Sequence, residues 1–109
     1  MAEGKPRIAR IWRGRVARAR ADEYAKYLYE HGIRPLEAKA LGVQLFREDR
    51  ETESEFVTVS YWESLDAVRA WGRHAEHISV QAAGRARWYD TFEVRIAMVE
   101  EERSFGANG

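Results

Sequence analysis

The sequence contains no cysteine, only two prolines and no long apolar run. The lack of cysteine excludes disulfide frameworks, thiolate nucleophiles and Cys-ligated zinc or iron–sulfur sites. No segment approaches the ~18 consecutive apolar residues of a transmembrane helix, and no apolar signal-peptide core follows Met1. We therefore expect the 109-residue chain to form one soluble, cytoplasmic domain with no membrane partner.

Net charge is absent as well, because 18 basic residues balance 18 acidic ones. A neutral chain is a poor candidate for a general nucleic-acid binder, so no nucleic-acid partner is expected. The first 20 residues are nevertheless basic, which predicts a strand whose outward arginines pair with acids elsewhere in the fold. Serine-nucleophile elbows, phosphate loops and dinucleotide-binding glycine motifs are also missing.

Four strands are predicted from alternating apolar residues, over residues 7–16, 42–48, 55–62 and 88–100. In the first strand, Gly14 marks a bulge or a close approach to a neighbouring backbone. Residues 49–54 are polar and charged, so they predict a loose hairpin turn between the second and third strands.

Two helical regions separate these strands. The first begins at Asp22 and ends at Gly32, because Pro35 bars a simple continuation. The second is capped by Ser64, weakened at Gly72 and continued as a separate piece over residues 74–87. Residues 1–6 are predicted as an extension, 7–100 as the domain and 101–109 as a disordered tail.

The order βαββαβ predicts an α+β, ferredoxin-like fold, with an antiparallel sheet and the helices on one face. Two helices cover only one face of a four-stranded sheet, yet the strands carry apolar residues on both faces. Ile8 and Trp12 share one face of the first strand, whereas Ala9 and Ile11 share the other. A second copy of the chain would cover the open face, so we expect a homodimer.

Three segments resemble the antibiotic biosynthesis monooxygenase-like family: IARIWRGR at residues 8–15, DEY at 22–24 with Tyr27 and Leu28, and SYWESLDAVRAW at 60–71. The resemblance implies a dimeric α+β barrel whose subunits each hold a pocket between helices and sheet. Some members of that family oxidise polycyclic phenols to quinones with molecular oxygen and without metal or flavin. Others bind and break open haem.

Carried onto this sequence, the resemblance implies a set of pocket residues. His31 and Trp71 are the implied catalytic residues, and Trp12, Tyr27, Trp62 and His74 are the implied substrate contacts. The residues themselves leave another interpretation open, in which His31 interacts with a helix terminus and solvent while Trp71 and Trp62 only fill space in the core.

The haem-degrading members use an Asn on the first strand, a Trp on the second helix and a His ten residues later. Here Trp71 matches the Trp, but Gln81 stands at the His position and the first strand has no Asn. Some quinone-forming members carry an Asn one turn before the Trp, where this chain has Ala67. In a haem-binding member, His74 or His77 would be the iron ligand.

The two histidines at i and i+3 lack an evident third ligand, so no metal site is predicted. The leading hypothesis is a cofactor-independent monooxygenase that acts on an aromatic or polycyclic small molecule with molecular oxygen. Two alternatives remain open. The first is a non-enzymatic, stress-linked dimer that binds a small molecule, and the second is a haem-binding or haem-degrading protein.

Overall fold

A computed structural model describes residues 6–81 and 91–106 of the chain. Its four strands are β1 (Ile8–Ala17), β2 (Gly42–Asp49), β3 (Glu53–Trp62) and β4 (Thr91–Met98). Its helices are α1 (Ala21–Leu28), α2 (Arg34–Glu37) and α3 (Leu65–Gln81). A 3-10 turn (Arg18–Arg20) precedes α1, and a π-helical turn (Tyr29–Ile33) joins α1 to α2.

The strands form one sheet in the order β2-β3-β1-β4, and every neighbouring pair is antiparallel. The two central strands are therefore β1 and β3, which are separated in the chain by α1, α2 and β2. This order and the helices that follow β1 and β3 confirm the predicted α+β, ferredoxin-like fold.

The strand register divides the side chains between two sides of the sheet. Ile8 lies beside Trp62 of β3 and Met98 of β4, and the same alternation continues along all four strands. We call the side that carries Ile8, Trp12 and Val16 the helix side, since its buried residues pack against the helices. The opposite side, with Ile11 and Val59, is called the open side.

Two apolar clusters hold the helices on the sheet. The Trp71 cluster, at the start of β1, contains Ile8, Leu36, Trp62, Val68 and Trp71. The Tyr24 cluster, at the other end of β1, contains Val16, Ala21, Tyr24 and Phe56, with the Tyr24 and Phe56 rings edge to face at 5.0 Å. The helix side thus has an apolar core at each end.

The first helical region does not stop at Gly32, so that prediction is wrong. Helical backbone continues from α1 through the π-helical turn into α2, and Pro35 occupies the first turn of α2. Proline is tolerated there because a first-turn residue needs no intrahelical N–H bond. Ile33 and Leu36 are buried, so their packing stabilises the continuation.

The predicted interruption at Gly72 is also wrong, because α3 runs unbroken from Leu65 to Gln81. A helical glycine costs roughly 1 kcal/mol relative to alanine, which the burial of Val68 and Trp71 on the same helix offsets. The predicted cap is present, since the Ser64 Oγ accepts the Ala67 N–H at 3.2 Å. The remainder of the predicted helical piece, residues 82–87, lies outside the described residues.

The hairpin between β2 and β3 is tighter than predicted, with only residues 50–52 between the strands. The Ser54 Oγ donates to Asp49 at 2.6 Å, and the Arg50 N–H donates to the Glu53 carbonyl at 2.8 Å. These bonds allow polar residues to continue the strand pairing.

β4 begins at Thr91, and the predicted start at residue 88 lies outside the described residues. Residues 101–106 carry no helix or strand, and the predicted domain boundaries and disordered tail stay predictions.

Neither a bulge nor a neighbouring backbone explains Gly14, because the atoms beside it belong to the Trp12 side chain. Pairing on both sides of β1 is continuous through Gly14, which lies beside Phe56 and Phe92. The Trp12 ring folds along its own strand over this glycine. A Cβ at Gly14 would collide with Cη2 of the Trp12 ring. The glycine therefore provides the space in which the Trp12 ring lies.

Replacing Gly14 with alanine should displace the Trp12 ring. We expect Gly14→Ala to lower the free energy of unfolding by roughly 1–3 kcal/mol, the usual cost of overpacking. Urea unfolding gives that value, and near-ultraviolet circular dichroism reports the displaced tryptophan. Gly72→Ala is the matched control, because a Cβ there meets nothing within 4 Å, and it should be neutral or stabilising. Equal stability of Gly14→Ala and the wild type would refute this role.

Candidate functional site

The middle of the helix side, between the two apolar clusters, forms the candidate site. Arg10 and Trp12 occupy this position on β1, and they lie beside Ser60 and Thr58 of β3 respectively. We call the polar residues Arg10, Thr58 and Ser60 the central strip. On the other side of β1, the neighbours of Arg10 and Trp12 are Ile96 and Val94. A basic group, two hydroxyls and an aromatic ring thus share one region of the sheet.

Trp12 forms the aromatic part of this region and is only partly buried. Its ring packs against the Tyr24 cluster and stacks on Phe92, with centroids 6.2 Å apart and planes inclined by 18°. The helix-side residues of β4 are all exposed, by between 40% and 73% of their surface: Phe92, Val94, Ile96 and Met98. Trp12 therefore borders an accessible apolar surface, of the kind that receives a flat aromatic molecule.

The two hydroxyls of the central strip differ in their hydrogen bonding. The Ser60 Oγ accepts the Trp62 Nε1–H at 2.9 Å. Thr58 is only 5% exposed, and within the described part of the chain its Oγ1 has no hydrogen-bond partner. An unsatisfied buried hydroxyl costs about 1–3 kcal/mol. A donor or acceptor supplied by a ligand would remove that cost.

Three of the predicted site residues meet at the Trp71 end of the helix side. Trp71 is 5% exposed, and its ring centroid lies 6.3 Å from that of Trp62. His74, one turn further along α3, is exposed and places its ring 5.5 Å from Trp71. Trp62 and Trp71 therefore pack as core residues, and His74 covers the solvent edge of Trp71.

The other three predicted residues are associated with the Tyr24 cluster. Trp12 and Tyr27 both pack against that cluster, and the His31 ring lies 4.7 Å from the Tyr27 ring. His31 is exposed in the monomer and not enclosed. The structure therefore divides the six predicted residues into two groups, one on each side of the central strip. Their predicted catalytic and binding roles stay predictions.

Sequence reasoning did not select Arg10, Thr58 or Ser60 as site residues. Strand alternation places all three on the same side as Trp12, and that signal was available in the sequence. Their proximity depends on the pairing of β1 with β3, whose register the sequence does not display. Hydroxyl residues in a strand are also common for reasons of β propensity alone.

The open side holds a separate, shallow depression of about 180 Å³, lined by Arg13, Phe46, Arg47, Glu48, Glu55 and Val57. The carboxylate of Glu55, one of these lining residues, accepts a hydrogen bond from Arg50 at 2.7 Å and pairs with Arg13 Nε at 2.6 Å. The hydrogen bond from Arg50 is the largest cause that lowers the pKa of Glu55, and the charge of Arg13 acts in the same direction. A carboxylate held ionised by two arginines is a structural ion pair and a poor general base.

The described residues contain neither a cluster of metal-ligating side chains nor a membrane-spanning helix. Across residues 6–81 and 91–106, no three His, Cys, Asp or Glu side chains are placed to hold a metal ion. The side chains of His77 and Gln81 lie outside the description. No helix in the same ranges is long and apolar enough to cross a membrane.

Known families and proteins share sequence similarity with this chain. The sequence model of the antibiotic biosynthesis monooxygenase family matches residues 8–83. A curated relative, the uncharacterized protein YqjZ of Bacillus subtilis, is 42% identical over 59 residues, which are 54% of this chain. The match spans about half the length of that relative, 52%.

Solved structures show the same architecture at low sequence identity. A putative antibiotic biosynthesis monooxygenase from Bacillus cereus aligns with a TM-score of 0.65 at 16% identity, covering 93% of this chain and 100% of that one. The haem degrader MhuD from Mycobacterium tuberculosis, with two haems bound in its active site, aligns with a TM-score of 0.64 at 24% identity. The alignment covers 89% of this chain and 99% of that one. A dimeric ferredoxin-like protein from an uncultured marine organism aligns with a TM-score of 0.73 at 10% identity, covering 94% of this chain and 95% of that one.

Glu55 provides a test of the ion pairs on the open side. Because its pKa is lowered in the folded state, its stabilising effect is present above the ordinary glutamate pKa and is lost as the pH falls through the folded-state pKa. Glu55→Gln should lower the free energy of unfolding at pH 7 by about 1–3 kcal/mol. Urea unfolding should show that this difference shrinks in acid.

Glu51→Gln, in the exposed turn of the same hairpin, is the control and should change stability little at any pH. A Glu55→Gln deficit that persists unchanged at acidic pH would contradict the ionic origin of the effect.

Proposed function

The chain belongs to the antibiotic biosynthesis monooxygenase family, and from that premise we propose that it oxidises an aromatic or polycyclic small molecule with molecular oxygen and without a cofactor. One observation carries the proposal: partly buried Trp12, stacked on Phe92, borders the exposed apolar residues of β4 and the polar central strip. A flat substrate placed there would contact apolar surface on one side and hydrogen-bonding groups on the other.

The chemistry sets clear requirements for such a site. Oxidation of a phenol to a quinone puts one atom of O2 into the new carbonyl and releases the other as water. The two hydrogens of that water come from the substrate hydroxyl and from the carbon that becomes the carbonyl. The substrate anion supplies the electrons, so the protein needs to hold the ring, exclude water and accept a proton.

We assign these tasks within the helix side. Trp12 and Tyr27 would hold the ring, and Trp71 would close the opposite end of the space with His74 at its edge. His31, beside Tyr27, is the proposed base, because histidine is the side chain most often used to accept a proton in enzymes. Trp62, buried and bonded to Ser60, would support the site without contacting the substrate.

The haem-degrading alternative receives less support from the residues present. The Trp71 ring is nearly enclosed by its own cluster, so a porphyrin plane could not lie against it without repacking. β1 contributes Arg10 to the central strip and Trp12 beside it, and β1 contains no Asn. Among the described residues, His74 is the histidine beside Trp71, and its imidazole packs against the Trp71 ring. The residues do not fit haem well, and no step of the proposal depends on it.

The non-enzymatic alternative is favoured by one observation, which is the close packing of Trp71 and Trp62 in the core. A dimer that only binds a small molecule would use the same surface around Trp12 but would consume no oxygen. Activity, and not binding, therefore separates these two candidates. The cytoplasmic location expected from the sequence stays a prediction.

Oxygen consumption with polycyclic phenols tests the function directly. We expect purified protein to consume O2 in proportion to the substrate oxidised, in the presence of a metal chelator. Trp12→Ala should weaken substrate binding about tenfold, since a stacked aromatic contact contributes roughly 0.5–1.5 kcal/mol beyond the buried area. Phe46→Ala, which removes an exposed aromatic ring on the open side, is the matched control and should bind normally.

Binding of the phenols with no oxygen consumption above the uncatalysed rate would favour the non-enzymatic alternative. His31→Ala should lower turnover at least about a hundredfold, the usual loss of a general base, while leaving binding intact. Unchanged turnover in His31→Ala would remove that residue from the mechanism.

We propose further that the chain forms a homodimer through the open side of the sheet. The side chains at the centre of that side are apolar and only partly buried in the monomer: Ile11, Val57, Val59 and Tyr61. The marine protein with the same architecture is described as dimeric, which supports the proposal. A two-fold pairing would place the same apolar surface of each copy against the other.

Light scattering should therefore give the mass of two chains at micromolar concentration. Val59→Lys introduces a charge at the centre of the open side and should yield the monomer mass. Leu45→Lys makes the same exchange on the helix side and should leave the dimer intact. A monomeric wild type, or a dimeric Val59→Lys protein with normal stability, would contradict the proposed interface.

A further inference from the structure

We propose that β4 of one copy of the chain pairs antiparallel with β4 of a second copy, centred on Val94, so that the two sheets join edge to edge. The pairing uses the outer edge of β4 and leaves the open side of the sheet available. It is therefore an interaction surface separate from the proposed open-side dimer. The occupant is a second copy because β4 is complementary to itself in backbone, charge and apolar side chains.

The outer edge of β4 carries backbone groups that no described strand pairs with. Across residues 6–81 and 91–106 the sheet ends at β4, whose neighbour is β1. The Val99 N–H, directly after β4, donates to the Arg7 carbonyl at 2.8 Å, and the hydrogen-bonding direction alternates from residue to residue along an antiparallel strand. The N–H and C=O groups of Val94 and Ile96 therefore point to the outer edge, where another strand can bind them.

The charges of β4 select one register for this self-pairing. Glu93 and Arg95 flank Val94, and both are exposed on the open side. With Val94 opposite the partner's Val94, each Glu93 lies opposite the partner's Arg95, so that the four charges alternate in sign. A shift by two residues in one direction sets Arg95 opposite the partner's Arg95, and a shift in the other direction does the same for Glu93. Like charges directly opposite are destabilising, so both shifted registers are disfavoured.

The same register matches the apolar residues on the helix side of β4. Phe92 and Val94 are each 40% exposed in the monomer, and Ile96 is 46% exposed. Phe92 lies opposite the partner's Ile96, which makes an aromatic and β-branched pair of the kind that stabilises antiparallel strands. The two-fold axis at Val94 is perpendicular to the sheet, so the helix side of one copy continues into the helix side of the other.

This pairing extends the candidate site. Trp12 stacks on Phe92 and lies beside Val94, so it borders the apolar surface that reaches the outer edge. The partner's Ile96 prolongs that surface beyond the edge of one sheet. A contact between two strands of eight residues is smaller than a standard protein interface, so we expect it to form at concentrations well above micromolar.

Disulfide crosslinking of the full-length protein tests the register, since the chain has no cysteine of its own. Val94→Cys sets two thiols opposite each other, with Cα atoms about 5.5 Å apart, which a disulfide can span. Ile96→Cys is the matched control. It is similarly exposed on the same side, but its two copies lie about 14 Å apart across the pair.

Under mild oxidation with copper–phenanthroline, Val94→Cys should form the covalent dimer at least about tenfold faster than Ile96→Cys. In urea the two variants should crosslink at equal rates, because the difference arises from the folded pairing. Melting curves verify that each variant is folded before oxidation.

Charge reversal in the Val94→Cys background tests the pairing of Glu93 with the partner's Arg95. Glu93→Lys or Arg95→Glu alone sets like charges opposite each other, and either should slow crosslinking at least about fivefold. A one-to-one mixture of these two variants restores opposite charges only between unlike copies. Mass spectrometry should therefore find the mixed dimer in excess over both homodimers, a result that interactions within one chain do not produce.

Two results would overturn the pairing: equal crosslinking of Val94→Cys and Ile96→Cys in the folded protein, or no excess of the mixed dimer. Val59→Lys, added to Val94→Cys, should leave crosslinking unchanged, because the β4 edge does not involve the centre of the open side. Loss of crosslinking in that variant would assign the contact to the open side and also overturn the proposal. Oxygen consumption is measured independently, so failure of the pairing leaves the proposed function standing.

Discussion

The pairing of β1 with both β3 and β4 is the constraint on which the rest of the structure depends. Arg10, Trp12 and Gly14 of this central strand lie on the helix side. Ile11 and Arg13 lie on the open side. A shift of one residue in either pairing would exchange these two sets. The candidate site and the proposed dimer surface are therefore fixed by the same register.

The division between the two sides would let one small domain carry both the proposed site and the proposed dimer surface. On the helix side, two apolar clusters stabilise the ends of the sheet and leave a polar strip between them. On the open side, apolar residues at the centre adjoin the ion pairs of Glu55 with Arg13 and Arg50. The charged pairs are compatible with an interface edge, where they add orientation more than affinity.

Local sequence patterns predicted the strands, the order of strands and helices along the chain, and the Ser64 cap, because alternation and capping are properties of a few neighbouring residues. They failed at Gly32, Pro35 and Gly72, where local propensity disfavours a helix but the burial of Ile33, Leu36 and Trp71 outweighs it. The candidate site could be predicted only in part for a related reason. Aromatic residues are conspicuous in a sequence. Thr58 stands out only because its buried Oγ1 has no hydrogen-bond partner among the described residues, and only tertiary structure reveals that.

The central claim is that an aromatic molecule binds on the helix side, against Trp12. The most direct test is a titration of isotopically labelled protein with 2-naphthol, followed by amide and indole N–H signals in two-dimensional NMR spectra. The account predicts the largest shifts at the Trp12 indole and at the amides of Thr58, Phe92 and Val94. Shifts centred on Ile11, Val59 and Tyr61 of the open side, or no saturable shifts at all, would contradict it.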